Sequence, residues 1–186
     1  MNLVERAKAI ILRPREEWRV IEAERADLKV LYSGYLSILA LIPAIGGFIG
    51  TTFFGIETPK GLIKLSLPAG LLCAIYSYGL ILVTVYIAAL VLDALAPQFG
   101  GRKNFDNALK LSVYSNTPYC LAGIFTFVPA ISFLIILGIY GMYLFYVGAP
   151  ILMKSKPGSI AYPLLVFVIV FIVALPLGAI QMLFWL

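Results

Sequence analysis

The sequence contains no histidine and few charged residues, and both shortages restrict what the chain can be. Histidine is the commonest general base and the commonest metal ligand, so its absence disfavours hydrolytic and metal-centred chemistry. Charged residues make up only 12% of the 186 residues, well below the roughly 25% typical of soluble domains. So few charges cannot cover the surface of a soluble domain, which excludes soluble enzymes and nucleic-acid-binding proteins as whole-chain assignments.

Disulfide chemistry and catalytic motifs are also missing. The two cysteines, Cys73 and Cys120, lie in separate apolar stretches and form neither a CxxC pair nor a disulfide framework. No GxSxG, P-loop or GxGxxG motif occurs. A metal site would depend on carboxylates alone, which are a poor ligand set for zinc. We therefore predict a chain that is not an enzyme and that holds no cofactor and no metal.

Hydrophobic residues make up 62% of the chain, against roughly 45–50% in soluble domains, and most of them fall in five long runs. Each run is long enough to cross a bilayer, which needs roughly 20 predominantly apolar residues, and the third run is the most polar. Strands are excluded because open sheet edges are not tolerated in lipid and the alternation of barrel strands is absent. The predicted fold is an all-α bundle of five transmembrane helices, at 30–54, 67–97, 107–128, 129–153 and 159–186.

A short polar head, residues 1–29, precedes the bundle and carries seven basic and six acidic residues. Asn2 and Glu5 have the spacing of a capping box at the start of one amphipathic helix, and Pro14 suits the first turn of a second. Two placements of the head are open. The helices lie on the inner leaflet with Trp18 as an interface anchor at headgroup level, or the head is a cytosolic cap packed on the loops of the bundle.

The basic residues are distributed unevenly between the two ends of the predicted bundle. With five crossings, the head and the loops at 98–106 and 154–158 share one side, which together with Lys110 just beyond the first loop carries twelve of the fourteen basic residues. The positive-inside rule places this side in the cytoplasm. We therefore predict a cytoplasmic N-terminus and an outside C-terminus at Leu186.

Ionisable residues inside spans are the usual lead to a function in membrane proteins, and this chain has few of them. We name one set the polar face, which comprises a stripe on the third span and two neighbours: Asp93, Asp106, Lys110, Tyr114, Asn116 and Thr117. One hypothesis is a cavity open to the cytoplasm in which Asp93 or Asp106 pairs with Lys110. The alternative is that these groups lie at the interface, where they satisfy one another or reach water.

Small residues recur at helical spacing in two spans. Gly46 and Gly50 form a GxxxG motif in the first, and Gly138, Gly141 and Gly148 share one face of the fourth. Small residues let helix backbones approach closely in a bilayer. We predict tight packing within the chain at these positions, with a seam between two copies in a homo-oligomer as the alternative.

The run from Leu95 to Pro157 resembles the prokaryotic branch of the Yip domain family, which is related to the Ypt/Rab-interacting proteins of the secretory pathway. Pro14 and Trp18 are similar to an N-terminal feature of that family. The matching positions in the run are Phe99-Gly100-Gly101, Ala108, Tyr114-Ser115, Pro118, Pro129, Gly138, Tyr140-Gly141, Tyr143, Pro150 and Leu152-Met153-Lys154.

The resemblance implies a non-catalytic five-helix domain in a prokaryotic inner membrane, with its N-terminus in the cytoplasm. Eukaryotic members bind small GTPases through a cytosolic head, but this head is short and the DLYGP motif is missing. Two hypotheses follow. The chain is a scaffold that contacts the bilayer and recruits other membrane proteins through its head and the 98–106 loop, or it is a small permease, channel or lipid scramblase that uses the polar face.

Overall fold

The computed structural model describes residues 2–24, 27–58 and 61–181, and most of these residues are helical. The all-α prediction is confirmed, although the connector after the first span also forms a small antiparallel hairpin that was not predicted, Ile56–Thr58 with Gly61–Ile63. The helices are α1 (Leu3–Leu12), α2 (Pro14–Ala23), α3 (Leu28–Phe54), α4 (Leu67–Phe99), α5 (Phe105–Ser115), α6 (Thr117–Ala122), α7 (Pro129–Leu152) and α8 (Ala161–Gln181).

Several helices begin where the sequence provides a cap. The capping box of Asn2 and Glu5 is present at the start of α1, and Pro14 occupies the first turn of α2, as predicted. Ser66 caps α4 by accepting a hydrogen bond from the backbone of Ala69. Local chemistry therefore determines these boundaries before any tertiary packing.

Among the described residues, four helices are long and apolar enough to cross a membrane, namely α3, α4, α7 and α8. The predicted third span, 107–128, does not form one such helix, so the five-span count is not confirmed. Its path divides into α5, α6 and a 3-10 segment at Gly123–Phe127. The division falls just before Pro118, which lacks the backbone donor that a continuous helix needs. Residues 182–186, where the fifth predicted span ends, lie outside the described residues.

The divided third segment nevertheless lies along the whole of α7, in the opposite direction. Gly138 of α7 lies against Tyr119, and Gly148 lies against the side chain of Leu111. At the end of the pair, the Asn107 amide donates a 3.0 Å hydrogen bond to the carbonyl of Leu152. The segment is therefore as long as its neighbour, although it is not one continuous apolar helix.

Helix α5 is the centre of the fold. Eight consecutive residues, from Ala108 to Ser115, are buried, so every side of this helix is covered. The Ser112 hydroxyl donates to the Val85 carbonyl of α4 at 2.7 Å, and Tyr35 of α3 contacts Tyr114. The remaining side is covered by the head, through α2. The head therefore completes the core around α5.

Trp18 is fully buried between α2 and the bundle, with 0% of its surface exposed. Its ring lies against Gly148 of α7, where an added Cβ would come within 2.6 Å of the indole, and its centroid is 6.3 Å from that of Tyr114. In this structure the Trp18 side chain thus packs against protein of the same chain, and its role as an interface anchor stays a prediction. An amphipathic helix buries its apolar stripe equally well against lipid or protein, and the glycine on α7 makes room for the protein contact.

The five glycines of the predicted packing set all lie at close contacts within the chain. A Cβ at Gly46 or Gly50 of α3 would clash with Thr126, and one at Gly141 would clash with the backbone of Ser115. Gly138 and Gly148 lie against the side chains already described. Each position therefore brings two segments of one chain together, as close packing in a bilayer requires.

Candidate functional site

Lys110 lies beneath the head and is bonded to the end of α2. Its side chain is buried, with 5% of the residue exposed, and Nζ donates to the carbonyl oxygens of Glu24 at 2.6 Å and Ile21 at 3.1 Å. The last carbonyls of a helix lack partners within the helix and carry partial negative charge. Lys110 therefore satisfies the C-terminal end of α2, and its ammonium is hydrogen-bonded to neither Asp93 nor Asp106.

Arg6 of α1 is the second buried cation of this region. It forms an ion pair with Glu17, and its Nη2 lies 2.6 Å from both carboxylate oxygens of Glu24. Burial acts to lower the pKa of Arg6, but the hydrogen bond to Glu24 and the nearby negative charges outweigh it and raise that pKa. The guanidinium therefore stays charged, and it joins α1 to the buried Glu17 and the exposed Glu24 in one network.

Aromatic side chains fill the space between this network and α3. The Tyr114 ring lies 5.8 Å from the Arg6 guanidinium carbon and 4.9 Å from the ring of Tyr35. The Tyr35 hydroxyl is 2.9 Å from the Thr117 hydroxyl. Lys110, Tyr114 and Thr117 thus share one face of the third segment, and the head and Tyr35 pack against that face.

The other three residues of the polar face lie elsewhere. Asp106 is exposed in the first turn of α5, where a carboxylate complements the positive end of the helix. Asp93 is on α4, and its Oδ1 is buried with no hydrogen-bond partner among the described residues. Asn116 lies at the break between α5 and α6 and donates to the Cys120 sulfur at 3.5 Å. In the described part of the chain no hydrogen bond or ion pair joins these three residues to Lys110.

Arg6, Glu17, Glu24 and Tyr35 belong to the site beneath the head, and the sequence prediction did not include them. The sequence around α2 contains a pattern that could have indicated them. Along it, Glu17, Trp18, Ile21 and Glu24 follow the spacing of one helical face. Acidic residues on the same face as a tryptophan indicate a polar partner inside a packed surface. Arg6, which is adjacent to the buried Ala7 on α1, is that partner.

The part of the chain that the structure describes has four helices that can cross a bilayer, which defines a polytopic α-helical integral membrane protein. A family model of the Yip1 domain matches residues 8–178. The chain therefore belongs to the Yip1 domain family, as the resemblance of its sequence indicated.

Curated relatives support the same assignment. The chain is 30% identical to "Inner membrane protein YohC" of Escherichia coli strain K12 over 142 residues, which cover 74% of this chain and 73% of the relative. The protein of the same name from Escherichia coli O6:H1, strain CFT073, matches to the same extent. No solved structure matches the chain significantly.

Proposed function

We propose that this chain is a non-catalytic scaffold of a prokaryotic inner membrane that recruits other membrane proteins through its N-terminal head. The observation that carries the proposal is that the head and Tyr35 cover three residues of the polar face, namely Lys110, Tyr114 and Thr117. Lys110 is bonded to α2, and Tyr114 packs between Arg6 and Tyr35, so the ionisable groups there hold the head in place. A transport path needs such groups to face water or a substrate.

The outer surface of the head is the proposed contact surface. Three apolar side chains are exposed there, Val4 at 52%, Leu12 at 76% and Val20 at 45% of their area. Charged residues of α2 such as Arg15 and Arg19 are exposed beside them. A surface that mixes exposed apolar side chains with arginine is typical of protein interfaces.

We further propose five crossings, with the N-terminus in the cytoplasm and the C-terminus outside. The loop before α5 and the loop after α7 meet beside the head. The Arg102 amide donates to the Met153 carbonyl at 2.9 Å, and Lys154 pairs with Glu22 of the head. At the opposite end, Gly50 packs against Thr126. Segment 105–127 thus extends between the same two ends as α7, and the basic loops lie at the head end.

Photocrosslinking from the head tests the scaffold proposal. A photoreactive amino acid at Leu12 or Val20 should crosslink one and the same membrane protein in cells, because both positions lie on the proposed surface. Phe133, a 67% exposed residue of α7, is the matched lipid-facing control and should give no such product. Products that are identical from all three positions, or that are absent from both head positions, would contradict the proposal.

The alternative, a small permease, channel or lipid scramblase, is favoured by one observation: Asn116 of the polar face lines a cavity inside the bundle. Reconstitution in liposomes with ion-flux and fluorescent-lipid assays separates the two functions. We expect no movement by the unaltered protein. If the protein moves either cargo and Asp93→Asn with Lys110→Met abolishes it, the scaffold proposal fails and transport replaces it.

A further inference from the structure

A partly enclosed cavity lies between α4, the α5–α6 break, α7 and α8. Its volume is about 380 Å³, within the range of roughly 300–1,000 Å³ that ligand pockets occupy. Val85, Met142, Phe145 and Val166 contribute to its apolar lining. The site beneath the head uses none of these residues.

The cavity faces the part of the bundle that the bilayer surrounds. Ile139 and Phe167 line it, and they are 57% and 48% exposed on helices that can cross a membrane. Exposed apolar side chains on such helices contact lipid chains. A ligand therefore has an apolar route into the cavity from the hydrocarbon region.

The polar groups of the cavity are few, and one of them has no partner. Thr84 donates to the Leu80 carbonyl and Ser112 to the Val85 carbonyl, so their hydroxyl protons are used. The Ser115 hydroxyl is buried, with 8% of the residue exposed, and it has no hydrogen-bond partner among the described residues. A buried hydroxyl without a partner costs about 1–3 kcal/mol, and serines in helices ordinarily avoid this cost by donating to a carbonyl of the preceding turn.

The chemistry of the lining determines the charge of the ligand. Among the described residues no Asp, Glu, Lys or Arg lines the cavity. A phosphate or an ammonium group would be buried there without a partner of opposite charge, which is strongly unfavourable. The lining fits an apolar chain with one neutral oxygen near Ser115, and the Asn116 amide is adjacent to that position.

We infer that this cavity binds an uncharged membrane lipid of the diacylglycerol class, with an acyl chain in the apolar part and an ester carbonyl or hydroxyl oxygen that accepts a hydrogen bond from the Ser115 hydroxyl once that unpartnered side chain turns toward the cavity. This site is separate from the partner surface of the head. The inference holds whether the chain is a scaffold or a transporter, because it requires the lipid to bind and does not require the lipid to move.

Photolabelling of the full-length protein in liposomes tests this inference. A diacylglycerol with a diazirine on its acyl chain should label the peptides of α5 and α7 that line the cavity, and unlabelled diacylglycerol should compete. Phosphatidylglycerol with the same photoreactive chain should label these peptides several-fold less. Equal labelling by both lipids would show general lipid contact and would overturn the inference.

Two substitutions with matched controls make the test specific. Ala88→Phe places a ring in the cavity and should abolish the competed labelling, whereas Ala94→Phe, at an exposed position of the same helix, should not change it. Ser115→Ala removes the hydroxyl and should weaken competition by roughly 2–10-fold, as expected for one hydrogen bond. Ser132→Ala is its control. If Ala88→Phe does not fold, the result for Ser115→Ala decides, and unchanged competition by that variant overturns the inference.

Discussion

Arg6 is the residue on which the attachment of the head depends most. It is 6% exposed and its buried partner Glu17 is 7% exposed, so both charges have lost most of their hydration. Removing one member of such a pair leaves the other buried and uncompensated, which costs about 3–5 kcal/mol. Exposed ion pairs such as that of Lys154 with Glu22 contribute far less.

We therefore expect Arg6→Ala to lower the free energy of unfolding by about 3–5 kcal/mol, measured by denaturant titration in detergent micelles. Arg15→Ala, at an exposed position of α2, is the matched control and should stay within about 0.5 kcal/mol. The double variant Arg6→Met with Glu17→Met should recover most of the loss, because neither charge of the pair is then left buried without the other. Equal effects of Arg6→Ala and Arg15→Ala would refute a buried network.

At the scale of the element, close packing of α3 against the 3-10 segment depends on one face of that helix. Gly46 and Gly47 are neighbours in sequence but differ in surroundings. A Cβ at Gly46 would clash with Thr126 and come within 2.8 Å of the Gly123 carbonyl, whereas a Cβ at Gly47 meets nothing within 4 Å. The pair thus separates the effect of packing from the effect of helix propensity.

Gly46→Ala should destabilise the protein by about 1–3 kcal/mol, because an inserted methyl must displace a backbone carbonyl in a packed contact. Gly47→Ala should be neutral or stabilising by up to about 1 kcal/mol, because alanine is the better helix former. Thermal unfolding of both variants in the same detergent measures the difference. A result of the opposite order would mean that α3 and the 3-10 segment are not in contact.

Sequence patterns predicted elements well where the signal is local. Apolar runs indicated α3, α4, α7 and α8, and Asn2 and Pro14 indicated the starts of α1 and α2. The break before Pro118 was harder to predict, because a proline in an apolar run either kinks or ends a helix depending on its neighbours. The partners of Lys110 are backbone carbonyls of α2, and no pairing of side chains in the sequence points to them.

At the scale of the whole molecule, the head and the bundle share one core. Trp18 and Ile21 of α2 belong to the same buried cluster as Leu111 of α5 and Leu144 of α7. Helix α2 also carries exposed arginines, which are unfavourable in hydrocarbon. The part of α7 that contacts α2 therefore lies at headgroup level or in water, and its orientation follows from the side of the head.

Cysteine accessibility tests this orientation together with the number of crossings. In a background with Cys73→Ala and Cys120→Ala, single cysteines replace exposed residues at both ends: Leu12, Lys103, Leu62 and Val128. With five crossings and a cytoplasmic head, a membrane-impermeant maleimide added to intact spheroplasts should label Leu62→Cys and Val128→Cys. Leu12→Cys and Lys103→Cys should react only after permeabilisation, because both lie at the head end of the bundle. That end carries twelve of the fourteen basic residues, which the positive-inside rule places in the cytoplasm.

Val128 is the decisive position, since it directly follows the segment that is not one continuous apolar helix. Its backbone begins the turn into α7, and Gly50 of α3 packs against the neighbouring Thr126. If residues 105–127 cross the membrane, Val128→Cys must behave as Leu62→Cys does. If Val128→Cys instead reacts only from the cytoplasmic side while Leu62→Cys reacts from outside, the segment re-enters without crossing, and α7 has to begin on the cytoplasmic side. Gly50 and Thr126 would then lie on opposite sides of the membrane and could not be in contact. This labelling pattern would therefore refute the crossing by residues 105–127 and the packing of Gly50 against Thr126.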